Sequence, residues 1–137
     1  MVSDEKLFQI ARRHGHKVIY FPLPETGSLS VPTGETGCIG LDRSLRGKEL
    51  TTRLAHELGH CEYGGFYTRA VPLDLVEKSE YRANKWAVEH IIPFDQLREA
   101  VHEGIDTVWE LSDYFGVTED MIRYALTYYT QTKGYVL

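Results

Sequence analysis

The chain contains only two cysteines, Cys38 and Cys61. Two thiols without an export signal do not make a disulfide framework, and we read both as reduced thiols of a cytoplasmic protein. Nowhere do apolar residues run to the ~20 positions that a membrane helix needs, so no segment is expected to enter a membrane. The opening stretch, MVSDEKLFQIARRHG, carries acids and lacks the long apolar core of a secretory leader. Positive charge is also in short supply. Fifteen Lys and Arg against 20 Asp and Glu give a net charge of −5, which disfavours broad attraction to nucleic acid or anionic lipid. Internal repeats, low-complexity tracts and charge blocks are all missing. What is left is a chain of 137 residues, 42% of them hydrophobic, long enough to bury its own core as one domain over 1–137.

Ser3 is placed to cap a first helix, with Asp4 and Glu5 in its opening turn and Leu7, Ile10 and Ala11 at helical spacing until Gly15 stops it. KVIYFPL (17–23) is rich in β-branched and aromatic residues and predicts a strand, which Pro22 and Pro24 push toward a sheet edge or its end. The Gly-, Pro-, Ser- and Thr-rich segment 24–37 is expected to hold turns around at most a short strand, SLSV. CIGLD (38–42) predicts another short strand. From Lys48 the period becomes helical. Leu50, Leu54, Leu58 and Cys61 form one apolar stripe, with Cys61 acting as a small buried hydrophobe, and Gly64 and Gly65 end the helix near Tyr63. Further helices are expected over 74–91, closed by Pro93, and over 94–104, stopped by Gly104. Residues 106–130 read as helix, turn, helix, with Thr118 capping the last. The class is α+β, mostly helical with a small N-terminal β-sheet.

The chemistry is concentrated in RLAHELGH (53–60). On a helix, positions four apart lie on one face, so His56 and His60 can share a metal ion while Glu57, on the neighbouring face, reaches a water on it. The plain alternative is a solvated helix with two unrelated histidines. Gly59 leans against that alternative. A glycine inside a helix costs on the order of 1 kcal/mol relative to alanine, which suggests that something approaches the backbone closely. Catalytic zinc usually takes three protein ligands and keeps one position open. EKSEYRAN (77–84) offers Glu80, with Asn84 four residues later on the same face to fix a ligand imidazole by hydrogen bonding. Ala83 and Ala87 are small enough to let this helix pack closely. Glu77, one turn earlier, is the rival ligand; we favour Glu80 because Ala83 and Asn84 make a coherent unit with it.

TRLAHELGH, followed some twenty residues on by EYRANKWAVEHIIP, resembles the ImmA/IrrE family of metallo-endopeptidases. In that family an HExxH helix precedes an E-x-x-A-N-x-[FW]-A stretch ending in an apolar pair and proline. The matching residues here are Glu80, Ala83, Asn84, Trp86, Ala87, Ile91, Ile92 and Pro93. The resemblance covers Val18 to Pro93 well and the C-terminal helices loosely, and Arg82 stands where the family often has an acid. It implies a zincin-like domain whose sheet packs on the HExxH helix, Zn2+ held by His56, His60 and Glu80, and Glu57 as general base. It further implies a protein substrate, a regulatory DNA-binding protein such as a phage or mobile-element repressor.

Several other residues have weaker claims. Tyr63, Tyr67 and His90 are candidate oxyanion donors by chain proximity alone, and packing roles fit each of them better. His14 and His16 flank Gly15 and read as a solvated turn rather than a metal site. The segment ELSDYFGVTEDMIRYAL (110–126), within a helical pair at about 105–131, resembles a helix-turn-helix DNA reader. Its charge argues otherwise: from Gly104 onward there are five acids (Asp106, Glu110, Asp113, Glu119, Asp120) and two bases (Arg123, Lys133). A DNA-binding regulator and a catalytically silent protein-interaction module are therefore the alternatives to a zinc endopeptidase.

Overall fold

The computed structural model describes residues 3–63 and 73–137. Helix α1 (Asp4–Arg13) starts where expected, with the Ser3 hydroxyl accepting the Lys6 N–H at 3.4 Å. It buries Leu7 and Ala11, and Gly15, at φ +79°, turns the chain into the sheet. Strands β1 (Lys17–Tyr20), β2 (Ser28–Thr33) and β3 (Thr36–Leu41) form one three-stranded sheet in the order β1-β3-β2. β1 runs parallel to β3, in a register from Lys17 opposite Cys38 to Tyr20 opposite Leu41. β2 and β3 are an antiparallel hairpin closed by Gly34 and Glu35, with Gly34 supplying the positive φ that so tight a turn demands.

The strand boundaries differ from the sequence expectation, with β3 covering Thr36–Leu41 rather than 38–42. The first strand ends at Tyr20 rather than Leu23. Phe21 N–H still bonds to the Leu41 carbonyl, but Pro22 has no N–H to continue, and Leu23 N–H turns to the Asp42 carboxylate at 2.7 Å. The second strand is longer than SLSV and runs on through Pro32 to Thr33. Proline is tolerated there because β2 is an edge of the described sheet, so not every N–H needs a partner.

Helix α2 (Gly47–Tyr63) lies at the centre, against α1, β2, β3 and the next helix. Its apolar stripe, Leu50, Leu54, Leu58 and Cys61, is buried as expected. Helix α3 (Leu73–Ile91) packs across α2 with Ala83 and Ala87 fully buried. Helix α4 (Phe94–His102) follows Pro93, and α5 (Val108–Phe115) and α6 (Glu119–Thr127) form the C-terminal pair. Thr107 and Thr118 cap that pair, Gly116 makes the turn at φ +69°, and a π-helical turn over Tyr128–Thr132 ends it. Leu111, Phe115, Val117, Met121 and Ile122 are buried, and Thr118 N–H donates to Thr52 Oγ1 on α2 at 3.1 Å. The pair is thus docked onto the central helix as part of the packing. No helix among the described residues is long and apolar enough to cross a membrane.

Candidate metal centre

Helical geometry puts His56 and His60 one turn apart on α2, with ring centroids 4.8 Å apart and planes nearly perpendicular. α3 brings Glu80 to them. Its Oε2 lies 2.9 Å from His56 Nε2, its Oε1 lies 3.1 Å from His60 Nε2, and the two Nε2 atoms are 3.2 Å apart. One donor atom from each residue therefore points at a common centre, and all three lie within 4.8 Å of one another. The opposite side of each ring is also engaged. His56 Nδ1–H donates to Asn84 Oδ1 at 2.8 Å, and His60 Nδ1 lies 3.2 Å from Ser79 Oγ. With its proton held at Nδ1 by the Asn84 carbonyl, neutral His56 presents an Nε2 lone pair to the centre, while Ser79 anchors the far side of the His60 ring. This donor set, two imidazoles and a carboxylate, fits a divalent metal of the zinc type.

The electrostatics favour positive charge at the same point. Burial is the largest influence on His56 and works against its charged form. The hydrogen bond that His56 donates to Glu80, the charges of Glu57 and Glu80, and the Asn84 carbonyl together outweigh it and raise the His56 pKa above the ordinary 6.5.

Glu57 does not join the cluster. It is only 6% exposed, and both its oxygens face β2, where Ser28 Oγ–H donates to Oε2 and Ser30 Oγ–H donates to Oε1, each at 2.8 Å. Nothing in the sequence reading singled out Ser28, Ser30 or Ser79. For the first two the available signal was the S-L-S alternation, which puts two hydroxyls on one strand face. For Ser79 there was none.

Glu77 is exposed and lines a groove along α3 with Tyr63 and Arg82, outside the cluster of three donors. His90 also lies elsewhere. It stacks on Trp86 at 3.9 Å and its Nδ1–H donates to the Trp86 carbonyl. Tyr67 lies outside the described residues.

A second cluster of the same composition joins His14, His16 and Glu62. His16 is buried, not solvated as the turn suggested, because the sheet closes over it: Gly37 N–H donates to His16 Nδ1 at 3.0 Å. That bond assigns the proton of neutral His16 to Nε2, which faces Glu62 at 3.4 Å, and His14 pairs with the same carboxylate. With its Nε2 protonated, His16 has no lone pair to offer an ion there. The two clusters share residue types, but neutral His56 and neutral His16 have opposite tautomers.

Two histidines on one helix facing a carboxylate from the next, beside a small sheet packed on the first, make an α+β zincin-like arrangement. The chain belongs to a metallopeptidase family, peptidase M78, whose IrrE N-terminal-like domain matches residues 11–127. No individual curated protein matches it.

Proposed function

We propose that this chain is a zinc-dependent endopeptidase of the cytoplasm that cuts a regulatory protein, such as a phage or mobile-element repressor. The observation that carries the reading is the convergence of His56 Nε2, His60 Nε2 and a Glu80 oxygen, with both Nδ1 positions taken up by Asn84 and Ser79. Bound Zn2+ would supply Lewis acidity, which brings the pKa of a water from ~16 toward ~7 and polarises a peptide carbonyl.

The protein's own residues do the rest. His56, His60 and Glu80 would hold the ion. Asn84 and Ser79 fix the orientation of the two rings. Glu57, one residue after the first ligand, takes the proton of the attacking water on a carboxylate oxygen and later gives it to the leaving amine. β2, an edge strand among the described residues, offers an extended substrate a backbone to pair with, beside the helix that carries the histidines.

The test is co-expression with a repressor encoded beside the gene, comparing wild type with Glu57→Gln. The reading expects loss of the intact repressor only with wild type. Equal degradation with both would remove the peptidase assignment.

A further inference from the structure

We propose that Ser28 and Ser30 are positioning residues for the general base: they hold the Glu57 carboxylate in the orientation that receives the proton. The role rests on the peptidase reading above and deepens it. Ser28 and Ser30 are two apart on β2, so their side chains leave the same face of the strand. Each hydroxyl donates to a different Glu57 oxygen, at the same distance of 2.8 Å. Two donors on two oxygens fix the carboxylate against rotation, which a single bond would not do. An ionised carboxylate has about four lone-pair sites, and two such bonds leave two of them open for a water and its proton. Glu57 and Ser28 are both buried, so the carboxylate has little bulk water to hold it and depends on these donors.

The arrangement also ties the base to the sheet. Its two hydroxyls come from the edge strand, while the histidines come from the helix beneath. The place where the proton is taken is therefore set by the β2 register against α2, through residues that act on the Glu57 carboxylate and not on metal or substrate. A purely structural account would have the serines satisfy a buried acid for folding and nothing more.

The experiment separates the two accounts. Ser28→Ala, Ser30→Ala and Ser30→Thr are made in the wild-type and Glu57→Ala backgrounds, with circular dichroism to check the fold. Zn2+ affinity is read by competition with a chromophoric chelator. Acetohydroxamate, whose hydroxyl proton is taken by a carboxylate beside the metal, is then titrated into the zinc-loaded proteins by calorimetry. Zn2+ affinity should stay within about threefold in every serine variant. Acetohydroxamate affinity should fall about tenfold in Ser30→Ala, and recover in Ser30→Thr, which keeps the hydroxyl. In the Glu57→Ala background the same serine changes should have no further effect, because the serines act through Glu57. Ser30 is only partly buried, so its variants carry the test even where Ser28→Ala fails to fold. Unchanged acetohydroxamate binding in Ser30→Ala, or an equal loss in the Glu57→Ala background, would overturn the role. Failure of the unsubstituted protein to take up Zn2+ would instead overturn the peptidase reading, and this role with it.

Discussion

Gly59 of α2 lies against the backbone of Ala83 in α3, so close that a Cβ at position 59 would come within 2.4 Å of the Ala83 carbonyl oxygen and 2.7 Å of its Cα. The contact explains a glycine inside a helix. It also explains how two helices reach one another near enough for Glu80 and Asn84, one turn apart on α3, to meet His56 and His60, one turn apart on α2.

Gly59→Ala tests that crossing. Helix propensity alone would reward the change with on the order of 1 kcal/mol. Overpacking against backbone, which cannot swing aside as a side chain does, should instead cost about 1–3 kcal/mol and weaken Zn2+ binding with it. Urea unfolding and a chelator competition measure both. A more stable protein with unchanged Zn2+ affinity would contradict the close approach.

The choice between Glu80 and Glu77 is tested by removing each. Glu80→Ala should cost about 100-fold or more in Zn2+ affinity, and Asn84→Ala about 10–100-fold, since it frees a ligand ring to turn. Glu77→Ala should change it by no more than about threefold, because Glu77 is exposed in a groove outside the cluster. Chelator competition on the three variants gives the ranking. Equal losses for Glu77→Ala and Glu80→Ala would contradict the assignment.

His56 makes the metal-free protein sensitive to pH. Its folded pKa is raised above 6.5, so its contribution to stability is fully present below 6.5 and is lost as pH rises through the raised value. In EDTA, the stability advantage of wild type over His56→Gln should therefore shrink between about pH 6 and about pH 8. Zn2+ affinity runs the other way, rising over the same interval as the proton leaves. Urea midpoints with and without metal check both signs. An advantage that grows with pH in EDTA would contradict the raised value.

Cys61 provides a check on the core side of the same helix. Burial, with smaller contributions from the charges of Glu57, Glu62 and Cys38, pushes its thiol up to about 12. At about pH 8 it holds almost no thiolate and should resist iodoacetamide in the native protein, then react once the protein is denatured. Peptide mass spectrometry reads the site. Alkylation of native Cys61 would show that the stripe is open.

The centre was largely legible in the sequence because its determinants are local. A four-residue spacing on each helix, a costly glycine and a run of small residues together indicated which faces meet. The sheet was legible in part. Its strands could be found, but Pro32 concealed the length of β2, and the parallel pairing of β1 with β3 is a non-local contact that short-range patterns do not encode. His16 was misread for a related reason. A histidine beside a turn glycine looks solvated until the Gly37 N–H, twenty-one positions away, closes over it. The capped turn at Gly116 and Thr118 read correctly, since its signals lie within a few residues.

The central claim is that one ion is shared by His56, His60 and Glu80. Crystals of protein loaded with one equivalent of Zn2+, measured at the zinc absorption edge, test it directly. The account predicts one anomalous peak at about 2.0–2.2 Å from both Nε2 atoms and a Glu80 oxygen. A peak between His14, His16 and Glu62 instead, or a Glu80 carboxylate turned out to bulk water with no zinc beside the α2 histidines, would contradict it.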